Sequence, residues 1–144
     1  MSGSDIESRF PKLKSTGYKV TSPCDKRYNC FAWAAGVSES WWDPDPIFSY
    51  SFWPPGVTRA YSIPAYRVAY ESLGYKECAS LDLEHGFQKV VIFSKGDTPT
   101  HAARQLESGL WTSKLGPNVD ITHELESLAG DLYGKVAYIL KKPI

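Results

Sequence analysis

Only three cysteines, Cys24, Cys30 and Cys78, occur in 144 residues, an odd number at irregular spacing. That argues against a disulfide framework. No CxxC or HxxxH pair is present either, so the ligand spacing of a structural zinc site is missing. Mixed ligation by Cys24, Cys30 and a histidine is the one metal arrangement left, and the expectation is no metal and no cofactor. No apolar run approaches the roughly 18 residues of a membrane span, and no basic-plus-apolar leader opens the chain. A cytoplasmic protein without a membrane partner is expected. Charge of one sign is also lacking: 16 basic residues balance 16 acidic ones. No basic run interleaves with aromatics, so nucleic acid is not an expected partner. Internal repeats and low-complexity blocks are absent.

What is present reads as a globular chain. A 42% hydrophobic and 22% charged composition excludes disordered and fibrous classes. The length suits one domain with its own core. The polar opening MSGSDIESRFPKLKSTG predicts a flexible or loosely packed arm over 1–20, followed by a single domain over 21–144. Aromatic residues make up 14% of the chain, including five Trp and nine Tyr, and some of that surface has to form core while the rest is free to line a groove.

CFAWAAGV predicts a short helix with Asn29 as its N-cap and Gly36 at its end. Such a helix needs tertiary packing to exist, so it is expected to be central and buried. From Ser40 to Val57 a proline-rich loop carries Trp41, Trp42, Phe48, Tyr50, Phe52 and Trp53, either pinning the loop to the body or walling a cleft. SIPAYRVAYESLGYKEC reads as a helix with Tyr66, Val68, Ala69 and Leu73 on its apolar side and Gly74 closing it. QKVVIFSKG, THAARQL, LWTSKLG and GKVAYILKKP read as strands, with turns at Gly96–Asp97 and ESG. DITHELESLAG reads as a short helix. Helices first and an antiparallel sheet afterwards give an α+β class.

The reactive residues fall on that map in a telling order. Cys30 starts a helix, where the dipole and unpaired amides favour a thiolate. The Cys30 amide, with Asn29 or Tyr28 nearby, is placed to receive an oxyanion. His101 opens a later strand and is a candidate base and acid. Cysteine on a helix followed by histidine on a strand resembles papain-like enzymes, and THAARQLESGLWTSKLG resembles the histidine hairpin of their NlpC-like branch. The resemblance implies a papain-like core with a helix packed on an antiparallel sheet. It also implies a cysteine hydrolase or acyltransferase acting on a protein, peptide or small amide. The third catalytic position falls at Ser113, where that family more often has His, Asn, Asp or Glu; Asp120 and His123 are the other candidates. Asn29, Trp42, Trp53, Gln105 and Lys114 are candidate substrate contacts. YNCFAWAAG, WW, WPPG, THAARQL, WTSKLG and DITH also resemble, over about 26–142, an uncharacterised and mostly bacterial family that brings no activity with it.

Each candidate has a plainer reading. Cys30 among Phe31, Ala32 and Trp33 is equally a buried core thiol, and His101 equally a turn-capping imidazole. Cys24 and Cys78 have no partner pattern, and His85 belongs in an exposed turn. Arg104 and Lys114 either flank a cleft or sit on the strand surface. The rival function is a non-catalytic binding protein, such as an inhibitor, an immunity factor or a phage counter-defence factor, that recognises a protein partner through the Trp41–Trp53 loop.

Overall fold

The computed structural model describes residues 2–45 and 51–144; Phe48 and Tyr50 of the aromatic loop lie outside them. Seven antiparallel strands form one sheet: β1 (Tyr18–Ser22), β2 (Lys76–Glu77), β3 (Phe87–Lys95), β4 (Thr98–Gln105), β5 (Trp111–Lys114), β6 (Asp120–His123) and β7 (Lys135–Pro143), in the order β1-β6-β5-β4-β3-β7-β2. Helices α1 (Gly3–Arg9), α2 (Lys12–Thr16), α3 (Cys30–Ala34) and α4 (Ile63–Glu71) complete an α+β domain.

Both faces of the sheet are covered, which explains the unbroken apolar run Val90–Phe93, all fully buried. Side chains alternate along a strand. Val90, Ile92 and Ala102 therefore join the core under α3 and α4, while Val91, Phe93 and Ala103 join a second core with Ile6, Phe10 and Leu13. The arm expected to be loose is thus two anchored helices. Burying an Ile or Leu side chain is worth about 1.5–3 kcal/mol, enough to hold seven- and five-residue helices that would melt alone. A capping box between Ser2 and Asp5 starts the first of them.

Asn29 caps α3 as its position in the sequence suggests, its side chain accepting from the Ala32 amide, and Gly36 leaves the helix at a φ of 80°. Ser62 caps α4, which buries Ala65, Tyr66, Ala69 and Tyr70. Val68 and Leu73, expected on the apolar side, are exposed; Tyr70 takes the inner position and donates to the Phe31 carbonyl at 2.8 Å. DITH is strand β6 rather than helix, because pairing with β1 and β5 satisfies its backbone on both sides. Only the following Leu125–Leu128 turns, as a 3-10 helix. Strand β1 was not foreseen. Its alternation, Tyr18 and Val20 between Lys19 and Thr21, is short, and its residues are half-buried or exposed, so no buried apolar face marks it as a strand.

Candidate functional site

Cys30 is the first residue of α3 and is 7% exposed. Backbone amides of Ala102, Phe31 and Cys30 itself approach the sulfur, and each favours a thiolate. Burial outweighs them and pushes the thiol up to about 12, so the resting group is a neutral thiol. The Ala102 contact places the sulfur against β4 one residue beyond His101.

His101 is fully buried. Its ring stacks on Tyr133 at 4.0 Å with 7° between planes, and meets the edge of Phe93 at 5.5 Å. These partners belong to the second core, whereas Cys30 belongs to the first. Neither ring nitrogen of His101 has a hydrogen-bond partner among the described residues. Thiol and imidazole therefore lie on opposite faces of β4, with no hydrogen bond between them. Burial, and secondarily the nearby His123, hold the His101 pKa well below the ordinary histidine range.

None of the three residues considered for orienting His101 hydrogen-bonds to it. Ser113 is buried and lies 2.7 Å from His123 Nε2, while His123 Nδ1 lies 2.7 Å from the Glu124 carbonyl. That carbonyl can only accept, so Nδ1 carries the proton and the Ser113 hydroxyl donates to Nε2. Burial lowers the His123 pKa to about 4. Asp120 faces the other way, accepting from Tyr28 Oη at 2.7 Å and from the Thr21 hydroxyl. Tyr133 is the residue that fixes the His101 ring, and sequence reasoning passed over it. It sits in a loop closed by a reciprocal Gly130–Gly134 backbone pair at 2.8 Å, and the Thr100 hydroxyl donates to its carbonyl. The signal available was an aromatic bracketed by Gly130 and Gly134.

The expected substrate contacts divide. Lys114 is fully buried. Its ammonium donates to the Asp25 and Gly116 carbonyls at 2.6 Å each, 4.5 Å above the Tyr28 ring. It is a tie between two turns, not a waiting cation. Gln105 donates to the Leu81 carbonyl at 2.9 Å. Trp53 is 5% exposed, packs on Tyr66 and donates to the Thr58 carbonyl. Trp42 is 3% exposed and held at both backbone ends by Asn29, which accepts from its N–H at 3.1 Å and donates to its carbonyl at 2.7 Å. Among the described aromatics of the loop, Trp42 and Trp53 are thus pinned into the core, while Trp41 is half-buried and Phe52 exposed. Beside the loop lies a groove of about 550 Å³ lined by Lys26, Arg27, Glu39, Trp41, Asp43 and Ser51.

Among the described residues no group of three or more His, Cys, Asp or Glu side chains is placed to hold a metal ion. No described helix is long and apolar enough to cross a membrane. The chain belongs to the family described as a domain of unknown function (DUF7689), whose model matches residues 19–141. None of the curated proteins and none of the solved structures matches it.

Proposed function

We propose that the protein is a thiol-dependent hydrolase or acyltransferase of peptide or amide bonds, built on a papain-like pairing of Cys30 with His101. One observation carries the reading. A thiol at a helix start, approached by three backbone amides, lies against β4 one residue from His101, whose two ring nitrogens, on the strand's other face, are buried and without a partner among the described residues. Buried polar groups without partners are rare, and a catalytic role is one of the explanations for them. Desolvation keeps both groups neutral at rest, so the chemistry is general-base rather than ion-pair catalysis. As Sγ bonds to the substrate carbonyl carbon, its proton passes to His101. The Cys30 amide stabilises the oxyanion. Collapse breaks the C–N bond and returns the proton to the leaving amine. Water or another amine then attacks the thioester, giving up a proton to His101, and thiol and acyl product separate. Cys30 and His101 lie on opposite faces of β4, so the pair forms only if β4 turns His101 away from its Tyr133 stack and toward the α3 face.

The burial of Cys30 favours a second reading, a non-catalytic binding protein acting through the groove at Trp41. Alkylation of Cys30 by iodoacetamide between pH 6 and pH 9, followed by peptide mass spectrometry, separates the two. The acyl-transfer reading expects reaction in the folded protein at pH 7, slowed at least about tenfold in His101→Gln, the size of a modest general-base contribution. Equal rates in both proteins, or a Cys30 that stays inert until urea unfolds the chain, overturn it.

A further inference from the structure

The groove beside Trp41 has the size of a small-molecule or short-peptide pocket. Its walls carry two cations, Lys26 and Arg27, and two carboxylates, Glu39 and Asp43. Arg27 is held in place by a forked pair with Asp25, at 2.8 Å and 3.2 Å to one carboxylate oxygen and 3.1 Å to the other. Asp43 is oriented by the Tyr61 hydroxyl at 2.5 Å and the Asp45 amide at 2.9 Å. The Ser51 hydroxyl in the wall has no partner among the described residues. Trp41, half-buried, offers an aromatic face.

That combination selects a ligand class by electrostatics. A polyanion would be repelled by Glu39 and Asp43, and a polycation by Lys26 and Arg27. Arg27 is already paired with Asp25 and Asp43 accepts from Tyr61, which leaves Lys26 and Glu39. An apolar ligand would desolvate these two without pairing them, and a neutral sugar would hydrogen-bond them without matching their charge. A segment bearing both signs pairs with both walls and lays its backbone along Trp41 and Ser51. The groove is also wired to the thiol. Trp42 lies between the wall residues Trp41 and Asp43, and both its backbone groups are bonded to Asn29, the residue before Cys30, which in the same geometry caps α3.

We propose that this groove binds an extended peptide segment carrying both signs of charge and that Asn29 positions the groove wall relative to Cys30. The assignment of that segment as the substrate of Cys30 rests on the acyl-transfer reading; occupancy of the groove does not. The test is an NMR titration of the full-length ¹⁵N-labelled protein, wild type and Cys30→Ala. The probes are acetyl-Gly-Lys-Ala-Glu-Gly-amide, its all-Glu and all-Lys counterparts, and chitotriose. The mixed peptide is expected to shift the Trp41 indole and the Lys26 and Glu39 amides equally in both proteins. Trp41→Ala should weaken it about tenfold, and Glu39→Lys, on an exposed side chain, should turn the preference toward the all-Glu peptide. No shift, equal shifts from all three peptides, or stronger binding of chitotriose overturns the proposal. Peptide binding with an inert Cys30 defeats the acyl-transfer reading alone, while a His101-dependent thiol beside a silent groove defeats this inference alone.

Discussion

Asn29→Ala tests whether one side chain holds the helix start and the aromatic loop together. Asn29 is 6% exposed and makes three bonds: to the Ala32 amide at 3.2 Å, the Trp42 amide at 3.1 Å and the Trp42 carbonyl at 2.7 Å. Losing an N-cap costs about 1 kcal/mol. Leaving the buried Trp42 N–H and C=O unpaired costs about 1–3 kcal/mol each. The expected loss is about 3–7 kcal/mol, a large part of the 5–15 kcal/mol typical of a domain. With a urea slope of about 2 kcal/mol/M, the midpoint falls by about 1.5–3.5 M. Asn29→Ser keeps a capping oxygen but cannot reach both ends of Trp42, so its loss should lie between wild type and alanine. Urea unfolding followed by Trp fluorescence and by far-ultraviolet circular dichroism gives the midpoints. A shift below about 0.5 M for Asn29→Ala, or a serine variant as unstable as the alanine one, would refute the reasoning.

Acid should unfold the protein through its buried histidines. The folded His123 pKa of about 4 lies below the ordinary 6.5, so the unfolded chain binds the proton more tightly. Stability is then complete above about pH 6.5 and lost as pH falls toward 4, by about 2–3 kcal/mol at pH 4.5 for this residue; His101 acts in the same direction. Urea midpoints at pH 7 and pH 4.5 should show that loss, and His123→Gln should reduce it; an unchanged pH slope in the variant contradicts the assignment. Gly134→Ala should destabilise by more than about 3 kcal/mol, because its Cβ would lie 2.0 Å from the Ser94 carbonyl oxygen at a φ of 75°. Gly36→Ala, with open space at a φ of 80°, should cost only about 1–2 kcal/mol. Thermal melts compare the two, and equal losses would show that the close approach at Gly134 is not what matters there.

Strands β3, β4, β5 and β7 were legible because their apolar runs and the intervening Gly-containing turns are local signals, and so were the α3 cap at Asn29 and the position of Cys30. Strand β1 and the β6 stretch DITH were not, because what makes them strands is pairing with each other across about a hundred residues. The candidate site divides the same way. That Cys30 opens a helix and that His101 lies on a strand follows from neighbours a few positions away, but His101 is the fourth residue of β4 rather than its first, because Thr98 and Pro99, read as part of the turn, already pair with β3. Which core each side chain enters does not follow from those neighbours. A strand offers two faces, and only the packing of α1, α2 and the Tyr133 loop decides what fills the space around His101.

The amino-acid order by itself thus determined the types of α3, α4, β3, β4, β5 and β7, the balanced charge and the helix-start cysteine, all consequences of short-range backbone preference and composition. Tertiary structure alone decided that Lys114 ties two turns, that Ser113 and His123 bond to each other rather than to His101, and that Trp42 is clamped by Asn29. Hydrogen bonds between distant segments are chosen by which groups burial brings together with no water left to satisfy them.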